Sequence, residues 1–164
     1  MNDDELSGIS ILIGDLVKDL RTMEGLVAEN HSAWERIAAG ARESLDYAAL
    51  WYTIHNIYCL MENCFLRVAK TFENHVNGDA WHKDLVRRMS IEVESIRPAM
   101  LDDGTAEAID ELRAFRHVFR NVYQNTLKPD KVLEVQKSVP TTVAAFMQRS
   151  SEFIAKLRQM LALP

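Results

Sequence analysis

One short stretch of the sequence concentrates residues that could do chemistry on a phosphate. Arg113, Arg116, His117 and Arg120 fall within residues 113–120 of a chain whose formal net charge is −5. Guanidinium groups offer paired donors that match the geometry of a phosphate, and a histidine can exchange a proton near neutral pH. The stretch therefore predicts an anion-binding surface that includes one group able to act as an acid or a base.

The same stretch has the period of an amphipathic helix, and this period decides where its side chains lie. Successive residues of a helix turn by about 100°, so one stripe is apolar and the opposite arc is polar. The stripe holds Leu112, Phe115, Phe119 and Val122, and the arc holds Arg113, Arg116, His117, Arg120, Asn121 and Gln124. Like charges at these spacings repel each other. The compensating negative charge can come from a bound anion or from carboxylates of neighbouring helices.

The rest of the chain reads as helices that position this stretch. Apolar residues recur at steps of three and four, no alternating strand pattern of useful length appears, and 164 residues contain only 6 Gly and 4 Pro. The length suits one domain. The sequence therefore predicts an all-α, single-domain bundle over residues 1–164, with about five helices in an up-down arrangement.

Local signals predict where these helices begin and end. The predicted helices cover residues 5–29, 44–75, 79–89, 105–124 and 129–161, with a connection over residues 30–42. Ser44, Asp79 and Thr105 are the predicted N-caps, and Pro129 suits a first helical turn. Pro140 predicts a bend or a break in the last helix.

The second predicted helix is apolar on nearly every side over its first half. Trp51, Tyr52, Ile54, Ile57 and Tyr58 are distributed around its circumference. A soluble helix of this kind is buried on several faces. It therefore lies either at the centre of the bundle or beneath a second subunit.

The spacing of the cysteines and of the nearby histidine argues against a redox site and against a metal site. Cys59 and Cys64 are five residues apart, which fits neither a redox pair nor a zinc knuckle, and they are interpreted as reduced core cysteines. His55 and Cys59 lie one helical turn apart, but no third metal ligand is evident. No metal and no cofactor is therefore predicted.

The charge pattern places the protein in solution. The acidic start does not resemble a signal peptide, and the charge-free span of residues 47–61 is too short to cross a bilayer. A pI of 5.5 disfavours a protein coated with basic surface for duplex DNA. The prediction is a soluble cytoplasmic protein whose contact with nucleic acid, if it has one, is local.

A motif in the cationic stretch resembles that of a known family. Arg116, four residues, Asn121, one residue and Tyr123 is similar to the motif of the HEPN superfamily, in particular the HepT-like ribonuclease toxins, in which a histidine stands where this chain has Asn121. Residues 58–63, 68–70, 81–85 and 97–99 are also similar to the HepT-like pattern in order and spacing. The resemblance covers roughly residues 45–135.

This resemblance implies a function and two partners. HepT-like toxins are helical homodimers whose paired motifs face a shared cleft and cut RNA without a metal ion. Their partner is a minimal nucleotidyltransferase antitoxin, which silences the toxin by adenylylating the motif tyrosine. Tyr123 matches that acceptor position, and Arg116 matches the motif arginine, which is expected to hold the scissile phosphate. Arg113 and Arg120 are expected to add phosphate contacts.

The chain departs from the family at Asn121, because an amide cannot act as a general acid or base near pH 7. His117, one turn earlier, can supply the proton transfer while Asn121 orients the substrate. Glu62 is the carboxylate expected to hold Arg116 or His117 in position. Alternatively, the chain is a catalytically weak dimer that binds RNA, a nucleotide or the nucleotidyltransferase. A third possibility is a structural protein whose arginines are consumed by internal ion pairs.

Overall fold

The computed structural model describes residues 3–73, 81–119 and 128–162, and within them the side chains outside 81–83 and 116–119. The helices in these ranges are α1 (Asp3–Ala38), α2 (Ser44–Glu73), α3 (Trp81–Met89), α4 (Asp103–Phe119), α5 (Pro129–Gln136) and α6 (Val139–Ala162). The predicted all-α class is confirmed. None of the described helices combines the length and the apolar composition needed to cross a bilayer.

α2 is the axis of the bundle, since it packs against each of the other five helices. Leu50, Ile54, Ile57, Met61 and Phe65 are each at most 1% exposed. Full burial of such a side chain contributes about 1.5–3 kcal/mol. Of the two predicted alternatives, the structure shows the first, a helix at the centre of the bundle.

α1 is longer than predicted, because it continues to Ala38 through the region that was expected to be a connection. Asn30, the first residue of the predicted connection, is buried within α1. Its amide nitrogen donates to Thr53 Oγ1 and to Gln136 Oε1, each at 2.9 Å. A buried amide that is satisfied in this way does not interrupt a helix. The helix stops instead near Gly40, whose φ of +105° suits a glycine.

Two helix starts show how the chain caps its own ends. At α4 the backbone N–H of Thr105 donates to Asp102 Oδ1 at 2.7 Å, so Asp102 is the N-cap and the prediction of Thr105 is wrong. At α2 the helix begins at Ser44, but Glu43 is the N-cap and the prediction of Ser44 as the cap is wrong. The backbone N–H of Glu43 donates to Asp46 Oδ2 at 3.1 Å. This is one of the two hydrogen bonds of a capping box, the bond from the backbone N–H of the N-cap residue to the side chain at N3.

The C-terminal region contains two helices where one was predicted, which brings the described helices to six. Pro129 stands in the first turn of α5, as its fixed φ favours. The backbone N–H groups of Lys137 and Ser138 bond back to carbonyls of the last turn of α5. α5 ends there, and Pro140 follows in the first turn of α6, where its missing N–H costs no helical hydrogen bond.

A buried arginine fastens the segment between α3 and α4. The side chain of Arg97 is 1% exposed and donates to Glu73 Oε1, near the end of α2, at 2.7 Å. It also donates to the carbonyls of Arg88, Ile91 and Pro98. Arg88 pairs with the other oxygen of Glu73. This cluster fixes the path along which the chain enters α4.

Candidate functional site

α4 carries the first part of the predicted site. Arg113 is described with its side chain, whereas Arg116 and His117 are described as helical positions of α4. Arg120, Asn121 and Tyr123 lie outside the described residues. The structure thus brings three of the predicted positions onto consecutive turns of one helix, and the roles of all of them stay predictions.

The side chain of Arg113 is engaged within its own helix. Its Nε donates to Asp110 Oδ1 at 2.5 Å, its terminal nitrogen donates to Asp110 Oδ2 at 3.2 Å, and the side chain is 30% exposed. These hydrogen bonds raise the pKa of Arg113, and the charge interactions with Asp110 and with Tyr58 on α2 act in the same direction. The guanidinium that was predicted to bind phosphate therefore already has a carboxylate partner.

The buried face of α4 is broader than the predicted stripe. Leu112 and Phe115 are buried at 1% and 8% exposure, as predicted. Ile109 and Ala106 are buried as well, at 0% and 7%. Since Arg113 follows them by four and seven residues, it lies at the border of the buried face. That position explains why its side chain is only partly exposed and pairs locally.

A row of polar and aromatic side chains lies on the side of α2 that approaches α4. Tyr58 is 2% exposed and its hydroxyl donates to Glu62 Oε1, one turn later, at 3.5 Å. Tyr58 also acts electrostatically on Arg113 of α4, where it helps to raise the pKa of the guanidinium. Glu62, the predicted supporting carboxylate, accepts the hydrogen bond from Tyr58 within α2. Its predicted contact with Arg116 or His117 stays a prediction.

The groove between α3 and α4 has a volume of about 410 Å³ and a mixed charge. Its charged lining residues are Asp84, Arg87, Asp103, Glu107, Asp110 and Arg113. Carboxylates outnumber guanidinium groups, so the potential in the groove disfavours a phosphate.

A second cleft, of about 340 Å³, opens between α1 and α6 and is lined mainly by apolar side chains. Asn30 and Gln136 contribute its buried amides, and these bond to each other in both directions at 2.9 Å. His31 and Lys137 are also among its lining residues. Its apolar character does not suit a polyanion, so it is not part of the candidate RNA site.

His55 and Cys59 are adjacent in the structure, with His55 Nε2 at 3.4 Å from Cys59 Sγ. Cys64 is buried as predicted, but Cys59 is partly exposed, so its interpretation as a core thiol is wrong. Among the described side chains, no three histidine, cysteine, aspartate or glutamate residues converge to hold a metal ion.

A model of the HepT-like protein family matches residues 49–157, about two thirds of the chain. The chain belongs to the HepT-like family. Neither the curated proteins nor the solved structures compared with it gave a significant match. Membership therefore rests on the family pattern, which includes α4 and most of α2.

The HepT-like match extends further along the chain than the resemblance seen in the sequence. That resemblance covers residues 45–135, with the C-terminal helix similar only as a generic bundle helix, whereas the match continues to residue 157 within α6. α1 lies outside it. The family match thus takes in most of α6, which packs against both α2 and α4.

Sequence reasoning missed two features of this HepT-like site. The first is Asp110, whose spacing of three residues before Arg113 on a predicted helix was a readable signal of an ion pair. The second is the partial exposure of Cys59. No local signal revealed it, because exposure on an apolar helix depends on which neighbours pack against it.

Proposed function

We propose that this HepT-like protein is a toxin-like, metal-independent endoribonuclease that cuts RNA in the cleft of a homodimer. The observation that carries the proposal is the family match across α4, the helix that carries Arg113 and, one turn later, Arg116 and His117. A cationic helix on a chain of net charge −5 supports an anionic substrate. We expect this activity in the cytoplasm.

The proposed reaction is attack of a ribose 2′-oxygen on the adjacent phosphorus. The new P–O2′ bond forms as the P–O5′ bond breaks, the 2′-hydroxyl proton passes to a base, and the leaving 5′-oxygen takes up a proton. We assign proton transfer to His117 and stabilisation of the phosphorane charge to Arg116 and Arg120. Asn121 orients the nucleotide by hydrogen bonds.

Arg113 has a conditional role in this scheme. Its guanidinium is held by Asp110, so a phosphate has to displace that carboxylate before Arg113 can bind it. In the proposal, Arg116 and Arg120 therefore provide the main phosphate contacts. Arg113 contributes by positioning α4 against the row on α2 that contains Tyr58 and Glu62.

Two parts of the proposal concern partners. HepT-like proteins generally form dimers, and this family property supports a second subunit. The second partner is a minimal nucleotidyltransferase that adenylylates Tyr123. Its gene is expected beside this one. A dimer has twice the mass of the 18.7 kDa chain in light scattering at micromolar concentration.

The decisive experiment is RNA cleavage in the presence of a chelator. Wild type is expected to cut, and Arg116→Ala and His117→Ala are expected to lose at least about 100-fold in rate, because each removes charge stabilisation or proton transfer. Arg21→Ala, an exposed arginine on α1, is the charge-matched control and is expected to cut normally. A wild type that cuts only with added metal contradicts the proposal.

A second function is favoured by two specific observations, Asn121 in place of the motif histidine and the pairing of Arg113 with Asp110. In this alternative the dimer binds RNA, a nucleotide or the nucleotidyltransferase and does not cut. Wild type that retains RNA on a filter but gives no product in the cleavage assay identifies it.

The modification has its own test. Co-expression with the neighbouring nucleotidyltransferase is expected to raise the intact mass by one adenylyl group. The same experiment with Tyr123→Phe is expected to give no increase. An increase that survives this substitution rules out Tyr123 as the acceptor.

A further inference from the structure

α2 holds a thiol beside an imidazole. Cys59 Sγ lies 3.4 Å from His55 Nε2, one helical turn away, and Cys59 is partly exposed. A nucleophile within hydrogen-bond distance of a base is the arrangement that activates a cysteine. Neither residue has a role in the proposed cleavage of RNA.

The indole of Trp51 favours the charged form of this pair. Its ring stacks on that of His55, with centroids 5.5 Å apart and planes inclined by 24°. The face of an indole attracts a cation. A proton that moves from Cys59 to His55 therefore produces an imidazolium against an aromatic face and leaves a thiolate beside it.

Cys64, on the same helix, provides a comparison with Cys59. Cys64 is 1% exposed, and its thiol donates to Asp19 Oδ2 at 3.6 Å. Burial, together with the charge of Asp19, raises the pKa of the Cys64 thiol far above its ordinary value. Only the thiolate is nucleophilic. Cys64 is thus held in its unreactive form by surroundings opposite to those of Cys59.

We propose that Cys59 is a reactive thiol and the site at which this chain forms mixed disulfides with small disulfide molecules, with His55 as the base. The Cys59 proton passes to His55 Nε2, and the thiolate attacks one sulfur of the disulfide. A new S–S bond forms at Cys59, the original S–S bond breaks, and the departing thiolate carries away the electron pair. The proposal does not rest on ribonuclease activity.

Access to the pair comes from the outer side of α2. Tyr52 precedes Cys59 by seven residues, which places both on one face of the helix, and Tyr52 is 56% exposed. A small disulfide approaching this face meets the thiol without opening the core formed by the opposite side of α2. Cys64, which faces α1, has no such route among the described residues.

The test uses the aromatic disulfide dithiobis(nitrobenzoate), whose released thiolate is followed by absorbance at neutral pH. Wild type and Cys64→Ser are expected to react rapidly at one thiol, and Cys59→Ser is expected to show only slow reaction. His55→Gln is expected to react about tenfold more slowly, because the base is lost. Mass spectrometry of the product is expected to locate the adduct on Cys59.

Two further measurements separate chemistry from folding. In denaturant, Cys59 of the His55→Gln and wild-type chains is expected to react at the same rate, since the helix that brings the pair together is gone. In the native state, wild type is expected to show more ultraviolet thiolate absorbance than Cys59→Ser. Equal native rates for wild type and His55→Gln, or an adduct on Cys64, overturn the proposal.

Discussion

The two sides of α2 use polar side chains in different ways. On the side facing α1, Thr53 bonds to Asn30, and both Cys64 and Arg67 bond to Asp19. Each of these contacts joins separate helices. On other faces of α2, His55 contacts Cys59 and Tyr58 bonds to Glu62, and these contacts join successive turns of α2 itself.

This difference separates contacts that join helices from contacts that join successive turns of one helix. A buried polar contact between helices is lost only when the helices separate, so its energy stabilises the fold. A contact within one helix is present whenever that helix forms and adds little to the packing of the bundle. We therefore expect substitutions at the first kind of contact to change stability and substitutions at the second kind to change reactivity.

The largest expected loss comes from Arg97, the most buried charged side chain that contacts another segment. Arg97→Met leaves the Glu73 carboxylate, whose side chain is 11% exposed, without its main partner. We expect the free energy of unfolding to fall by about 3–5 kcal/mol, measured by urea denaturation. Arg88→Met is the control: its side chain is 45% exposed, so a loss of at most about 1 kcal/mol is expected. Similar losses in both variants would contradict the comparison.

The amide pair between α1 and α5 is the next test. Asn30→Leu leaves the buried amide of Gln136 unsatisfied, and we expect a loss of about 1–3 kcal/mol in the free energy of unfolding. The double variant Asn30→Leu with Gln136→Leu removes both partners and is expected to recover part of that loss. A double variant whose loss equals the sum of the two single losses shows that the amides are not coupled.

The same substitution, cysteine to alanine, can be compared at the two cysteines. Cys64→Ala removes a buried side chain and its bond to Asp19, so a loss of about 1–2 kcal/mol is expected. Cys59→Ala changes a partly exposed side chain and is expected to cost within about 0.5 kcal/mol. Thermal unfolding of both variants measures the difference. A larger loss at Cys59 would place that residue among the contacts that determine the fold.

The smallest expected effect lies at the start of α4. Asp102→Ala removes the N-cap and is expected to cost about 1 kcal/mol. The hydrogen bonds from Thr105, followed by the charge of Arg149, hold the pKa of Asp102 below its ordinary value of 3.8. Because the folded-state pKa is lowered, the stabilisation is complete above the ordinary value and is lost as the pH falls through the lower folded-state value.

The pH dependence of the free energy of unfolding provides a control for the prediction at Asp102. Asp102→Asn keeps an acceptor for the N-cap bond but removes the titrating charge. Its free energy of unfolding is expected to fall less steeply than that of wild type below pH 3.8. Parallel curves for the two proteins would show that the carboxylate charge does not stabilise the start of α4.

The fold class and several helix positions could be predicted because their signals are local. The start of α2 at Ser44 and the place of Pro129 in the first turn of α5 follow from short-range preferences. The continuation of α1 through Asn30 could not be predicted in this way. Its reason lies in Thr53 and Gln136, which are distant in sequence and meet Asn30 only in the folded chain.

The same distinction between local signals and long-range contacts applies to the candidate site. The cationic helix and its buried partners Leu112 and Phe115 could be predicted from the helical period. The half-buried state of Arg113 could not, because the buried face of α4 is set by how α2, α3 and α6 pack around it. Short-range periodicity describes one helix, whereas exposure is a property of the whole bundle.

The amide pair of Asn30 and Gln136 also has a consequence for the order in which the chain folds. The two residues are 106 positions apart, so the pair forms only after α5 has been synthesised and has reached α1. Before that, α1 and α2 can pack against each other as a hairpin. The amide of Asn30 then lacks Gln136 and requires water or another partner in its place. We therefore expect the nascent N-terminal hairpin to stay loose and hydrated at Asn30, and to become rigid only when the C-terminal helices dock.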